Sequence, residues 1–315
     1  MIEVKRNIIG PHLRTERTTR GIMVDVAIAL IPALLGAVYY FGVRSLYMTA
    51  AAVAACVLSE YLWQKLTRRQ VTAGDFSAVV TGILIAFNMP VTTPIWVIVT
   101  ASLFSILVVK QMFGGIGSNF VNPALMGRLF IMLLWPASIM QYVTPRTIDV
   151  DAVSSATVLS STKMGEEAGY SYWQMFIGEI PGAIAETSKL LLLIGFLYLC
   201  YKGIVNISIT FTYVLTVALL TFLIGPAGFG TGDFLGNLFG GGLILGACFM
   251  LTDYTFATRG GKIFFGIAAG VITALIRIYS NYPEGVCFGI LLANCLAGIL
   301  ALAYKPHIYG VEKSN

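Results

Sequence analysis

One stretch of the chain concentrates the residue types that suit ligand chemistry. Phe113-Gly114-Gly115-Ile116-Gly117-Ser118-Asn119-Phe120-Val121-Asn122-Pro123-Ala124 holds three glycines, two asparagines and a proline. Asparagine suits a helix N-cap and proline the first helical position, so a helix is expected to start at Pro123. Glycine permits close backbone approach to a planar ligand. The amides of Asn119 and Asn122, beside a helix N-terminus, could donate to carbonyl oxygens such as those of a flavin pyrimidine ring. Plain capping beside a tight turn is the competing reading. An aquaporin-like pore needs a second Asn-Pro-Ala, and the second half of the chain has none.

A second stretch, Asp151-Ala152-Val153-Ser154-Ser155-Ala156-Thr157, is rich in hydroxyls. The only histidines are His12 and His307, so no base lies close in sequence to make one of these hydroxyls a conventional nucleophile. The residues alone leave a solvated loop or a passive attachment point. Five cysteines (Cys56, Cys200, Cys248, Cys287, Cys295) are scattered without a Cys-x-x-Cys pair. That spacing argues against a disulfide framework, a zinc site or a four-cysteine iron–sulfur site within this chain. They read as small buried hydrophobes or as one or two ligands of a cluster shared with a partner. No metal site is expected.

The elements that must hold these residues are membrane helices. The 315 residues are 57% apolar and 11% charged, with a mean hydropathy of +0.83. Soluble proteins carry roughly 25% charge, so this chain lacks the polar surface to cover a globule in water. The basic residues behind the net charge of +5 lie in short interhelical loops, which argues against nucleic-acid binding. Ten apolar blocks follow a hydrophilic start that carries no signal-peptide pattern. They are Gly21–Phe41, Ser45–Leu66, Phe76–Met89, Pro94–Phe113, Pro123–Met140, Ser188–Tyr201, Asn206–Ile224, Phe234–Leu251, Lys262–Ser280 and Val286–Tyr304. The third and sixth are short, as half-buried or broken helices are.

Placing both termini in the cytoplasm puts fourteen Lys and Arg inside and four outside (Arg44, Arg146, Lys163, Lys189), in accord with the positive-inside rule. Arg128 and Arg277 fall within spans, as do Asp25 and Glu60. Intramembrane charge is costly, so each is either a salt-bridged or interfacial structural charge or part of an ion path. Arg128, within two turns of Asn122-Pro123, is expected to face an anionic ligand or a carboxylate. The acidic connection Gln141–Thr187 faces outside and divides the spans five and five. The expected parts are therefore 1–140, 141–187 and 188–315. A faint likeness between Thr81-Gly82-Ile83-Leu84 and Gly241-Gly242-Leu243-Ile244, with opposite orientation, suggests two inverted five-helix repeats. The expected fold class is an all-α membrane protein of about ten transmembrane helices.

Read together, these motifs resemble one family of redox membrane proteins. Asp-x-x-Ser-Ser-Ala-Thr is similar to the flavinylation motif shared by the RnfD component of the Rnf ferredoxin:NAD oxidoreductase complex and the NqrB component of the Na+-translocating NADH:quinone reductase. The glycine–asparagine loop is similar too, as are Pro11-His12 through Arg20 into Ile22-Met23, and Thr252-Asp253-Tyr254 with Gly261-Lys262, Arg277 and the Tyr304–Gly310 tail. The short N-terminal region favours the Rnf component over its longer cousin. The resemblance implies an electron-transfer component of an ion-translocating oxidoreductase, not catalytic alone, in the inner (cytoplasmic) membrane. It implies FMN joined through its phosphate to Thr157 by a separate flavin transferase, with Asp151, Ser154 and Ala156 in the recognition sequence. Ser155 stands where the family more often has glycine. A second, noncovalent flavin (riboflavin) is implied near Asn119, Asn122 and Arg128. Implied partners are a flavin-bearing G subunit, membrane A and E subunits, cytoplasmic B and C subunits and the lipid bilayer, with Na+ or H+ as the coupling ion. The quinone-reductase component and a stand-alone inverted-repeat channel or transporter are the alternatives.

Overall fold

A computed structural model describes residues 17–146, 155–164, 169–186, 188–225, 228–253, 259–280, 282 and 284–303. Thr18 opens the first helix, α1 (Thr19–Phe41), by accepting a hydrogen bond from the Gly21 amide. Gly42, at φ 72°, ends it and leads directly into α2 (Val43–Leu66). The helices α3 (Ser77–Phe87), α4 (Ile95–Gln111) and α5 (Pro123–Leu134) complete the first half. The second half contains α8 (Lys189–Tyr201), α9 (Ile207–Leu223), α12 (Arg259–Tyr279) and α13 (Val286–Ala303). Among the described residues, Thr19–Phe41, Val43–Leu66 and Gly260–Tyr279 are long and apolar enough to cross a membrane; the other main helices are shorter and apolar.

Two apolar blocks depart from the expected continuous helix. The fifth was expected to run to Met140, but α5 stops at Leu134, where Trp135 precedes Pro136 and is driven out of the helical region. The eighth is broken. Its first piece, α10 (Phe234–Phe239), ends at Gly240-Gly241-Gly242, and α11 (Leu243–Leu245) then continues as a π-turn, Gly246–Met250. A second π-segment, Ser105–Gln111, forms the end of α4.

The described part of the long connection is partly helical and partly buried. It contains α6 (Val158–Lys163) and α7 (Tyr172–Ile177), the latter held by a Ser171–Gln174 capping box. Its last part is drawn into the core: the Ile184 and Ala185 amides donate to the Met89 and Phe87 carbonyls, and Ile180 to Glu186 are buried. Those carbonyls lie at the end of α3, so the re-entrant chain satisfies groups that a helix terminus otherwise leaves open. A two-residue hairpin, β1 (Ile224–Gly225) with β2 (Gly228–Phe229), follows α9.

The side-chain distribution is inside out relative to a soluble protein. Leu35, Tyr39, Leu197 and Phe211 point outward at 60% exposure or more, while Glu60, Lys110, Arg128, Lys189 and Arg277 are buried. Lipid accepts the former, and the protein interior must pair the latter. The chain is a membrane protein. The most extensively packed helix pairs include α1 with α8, α2 with α3, and α9 with α12.

Two cavities at the ends of one helix

The start of α5 forms one wall of a cavity of about 420 Å³, together with Lys110, Gly117, Asn119 and Thr81. Gly114, Gly115 and Gly117 adopt φ of 112°, 96° and 85°, which turns the chain tightly ahead of Asn122. The cavity is lined by Gly117 and not by Gly114 or Gly115. Asn122 is the N-cap: its Oδ1 accepts from the Ala124 and Leu125 amides at 3.0 and 3.1 Å, and its Nδ2 donates to the Met250 carbonyl at 3.3 Å. Its oxygen is therefore committed to the helix. Asn119 differs, because its Oδ1 is buried and has no hydrogen-bond partner among the described residues.

Five residues on from the start of α5, about 7.5 Å along the axis, Arg128 enters a second cavity of about 450 Å³. Thr157, Ala156, Ser155 and Ser160 line it on one side, with Tyr142, Tyr282 and Phe288 supplying aromatic wall. Thr157 caps α6. Its hydroxyl donates to Ser160 Oγ at 3.0 Å and accepts from the Ser160 amide at 3.3 Å. It is only 7% exposed, where the sequence had suggested a solvated position. Asp151 and Ser154 lie outside the described residues. Burial and the neighbouring Glu284 push the Tyr142 phenol well above its ordinary value, so it stays a neutral hydroxyl across the physiological range.

Arg128 is the hub of the second cavity. Its Nη1 donates to Asn88 Oδ1 at 3.1 Å and to Glu186 Oε1 at 3.0 Å, and its Nη2 pairs with Glu284. The expectation that Arg128 meets a carboxylate thus holds twice over. Asn88 also donates to Met250 Sδ, so Asn122, Met250, Asn88 and Arg128 form one contiguous seam between the cavities.

The remaining intraspan charges read as structural. Glu60 pairs with Lys110 at 2.8 Å, and Asp25 accepts from Tyr198 at 2.6 Å with Lys202 at 3.6 Å. Arg277 donates to the carbonyls of Glu284, Asn237 and Gly240. Glu186, Glu284, Asn88, Lys110 and Lys189 were not singled out by sequence reasoning. Lys110 and Lys189, counted among the inside and outside charges although they fall near the ends of apolar blocks, are 2% and 1% exposed. The one signal for Glu186 and Glu284 was indirect: an arginine inside a span requires a carboxylate, and these acids immediately precede spans. The five cysteines are free, and among the described residues no group of histidine, cysteine and acidic side chains could hold a metal ion.

Residues 7–310 match the model of the NQR2, RnfD, RnfE family. The chain is 43% identical over 311 residues to the D component of the Na+-translocating ferredoxin:NAD+ oxidoreductase complex of Acetobacterium woodii, covering 96% of this chain and 95% of that one. It is 35% identical to the D component of the proton-translocating ferredoxin:NAD+ oxidoreductase complex of Clostridium ljungdahlii, over 99% of both chains. The D component of the ion-translocating oxidoreductase complex of Salmonella paratyphi A is 29% identical over 96% of this chain and 98% of its own. With nearly every residue matched, and the glycine–asparagine loop and Thr157 each lining a cavity, the chain belongs to the NQR2, RnfD, RnfE family.

Proposed function

We propose that this chain is the membrane-embedded electron-transfer subunit of an ion-translocating ferredoxin:NAD oxidoreductase complex, carrying FMN esterified through its phosphate to Thr157. The observation that carries the reading is the Thr157 hydroxyl at the wall of a 450 Å³ cavity with aromatic sides and a buried arginine. Those residues suit a planar ring of that size. Bound there, a flavin supplies one- and two-electron redox chemistry that the side chains lack. The chain's own part is to anchor, orient and exclude water. Thr157 is the tether, Tyr142, Tyr282 and Phe288 are the apolar walls, and Arg128 is a fixed cation that favours added negative charge.

The other cavity is the place for a noncovalent flavin such as riboflavin. Its support is Asn119, whose unpartnered buried oxygen suits the ring imide N–H. Asn122 belongs to the helix cap and Arg128 to the Thr157 cavity, so neither is assigned to this second ring. Ten crossings in two inverted five-helix repeats, with parts 1–140, 141–187 and 188–315, remain the reading of topology. Both termini lie inside and Thr157 outside, in the cytoplasmic membrane. Burial of Lys110 and Lys189 removes one basic residue from each side of the loop count and leaves its bias intact. The partners are the other subunits of the complex, a flavin transferase and the bilayer, with Na+ or H+ as the transported ion.

Ultraviolet fluorescence of the denatured chain after electrophoresis tests the assignment. The parent band is expected to fluoresce, and Thr157→Ala is expected to be dark at normal abundance. A fluorescent Thr157→Ala band moves the ester to a serine such as Ser155 or Ser160 and overturns the assignment.

A further inference from the structure

We propose that Glu186 is a proton-binding site linked to the charge in the Thr157 cavity, with Arg128 as the connecting side chain; this rests on the function proposed above. Glu186 does not line the cavity. It lies behind Arg128, 2% exposed, and takes only part of the guanidinium. Arg128 spends one nitrogen on Glu186 and Asn88 and the other on Glu284, which faces the cavity. One guanidinium therefore serves two carboxylates.

The consequence falls on Glu186. Its Oε1 has Arg128, but its Oε2 is buried with no hydrogen-bond partner among the described residues. An ionised carboxylate oxygen in that state carries an uncompensated desolvation cost, which a donor, a cation or a proton removes. The surroundings select the proton. Arg128 of α5 pairs with it, Lys189 of α8 donates to its main-chain carbonyl at 2.5 Å, and Arg277 of α12 adds positive charge at longer range. Those charges oppose any bound cation, but a metal ion needs several oxygen ligands and finds a single open one here, whereas a proton needs only that one. Among the described residues, Glu284, Tyr142 and Cys287 interact with it electrostatically, Asn88 through the shared Arg128, and Gly242 by contact. Gly242 packs against the other oxygen: a Cβ there would stand 2.4 Å from Glu186 Oε1.

Negative charge added to the cavity competes for Arg128 with both carboxylates. Arg128 is then worth less to Glu186, and a proton on Oε2 restores the balance. The step is neutral overall. One electron, given up by a reduced ferredoxin that becomes oxidised, enters the cavity, and one proton from hydronium in the surrounding solution, which leaves water behind, forms an O–H bond at Glu186 Oε2.

The test uses the full-length chain with its covalent flavin, reduced by dithionite and followed by infrared difference spectroscopy. A protonated-carboxyl C=O band that shifts in heavy water is expected on reduction. It is expected to vanish in Glu186→Gln, to move in Glu186→Asp, and to persist in Glu179→Gln, which alters an exposed acid. A redox titration of Glu186→Gln is expected to release about one fewer proton per electron on reoxidation. A flavin that bleaches in the parent without such a band, or a band surviving in Glu186→Gln, overturns the inference alone. Absence of a bleachable covalent flavin overturns the proposed function and this inference with it.

Discussion

Two buried ion clusters sit beside the two cavities, and they follow opposite plans. Around Glu60 the account is closed. Lys110 Nζ reaches Oε1 at 2.8 Å and Oε2 at 3.0 Å, Gln111 donates to Oε1 at 2.6 Å, and Ser77 accepts the lysine at 2.6 Å. One acid meets one base, and each carboxylate oxygen has a donor. Around Arg128 the account is open, with two acids on one guanidinium and one oxygen unpartnered among the described residues. The closed cluster ties α2 to α4. The open one, against the Thr157 cavity, can gain or lose a proton without dismantling its hub. Stoichiometry, more than the presence of charge, separates a structural ion pair from a responsive one.

The largest effect on this contrast is expected from Lys110→Met. It leaves Glu60 buried without its cation and is expected to lower unfolding stability by about 3–5 kcal/mol. Thermal unfolding in detergent measures this, and adding Glu60→Gln is expected to recover most of the loss. A cost below about 1 kcal/mol would show that the cluster is not closed. Glu284→Gln is expected to cost less, about 1.5–3 kcal/mol, because Arg128 retains Glu186 as its carboxylate. An equal or larger loss than in Lys110→Met would reverse the ranking of the two clusters.

The asparagines extend the contrast to the other cavity. Asn122→Ala is expected to cost about 1 kcal/mol of stability through loss of the cap. Asn119→Ala is expected to leave stability unchanged and to weaken noncovalent flavin about five-fold, one neutral hydrogen bond's worth. Extractable flavin per chain and a melting curve separate the two roles, and a matched effect of both variants would refute the division. Asp25→Asn is expected to cost at most about 1 kcal/mol in the same melting curve, since its pair with Lys202 is partly exposed.

Much of the site was legible where its cause was local. Asn122-Pro123 announced the start of α5, and the structure places cap and first residue there. The third and sixth apolar blocks, expected to be half-buried or broken because they are short, are the continuous helices α3 and α8; the broken one is the eighth. The end of α5 and the break at Gly240-Gly241-Gly242 were also written locally, in Trp135-Pro136 and in three consecutive glycines, yet apolar character alone ran the helices through them. The part of 141–187 that is buried is held by main-chain amides, which leave no trace in side-chain composition.

Hydropathy and bonds between residues two to four apart are properties of the chain alone. They settle which segments must leave water, which caps start them, and where the hydroxyl and amide residues of the two loops fall. Which charges neutralise which was decided by packing. Arg128 meets Glu186 and Glu284 across 58 and 156 positions, and Glu60 meets Lys110 across 50. A buried charge makes a partner obligatory, because desolvation is costly, but chain distance carries no record of which partner the fold brings within about 3 Å.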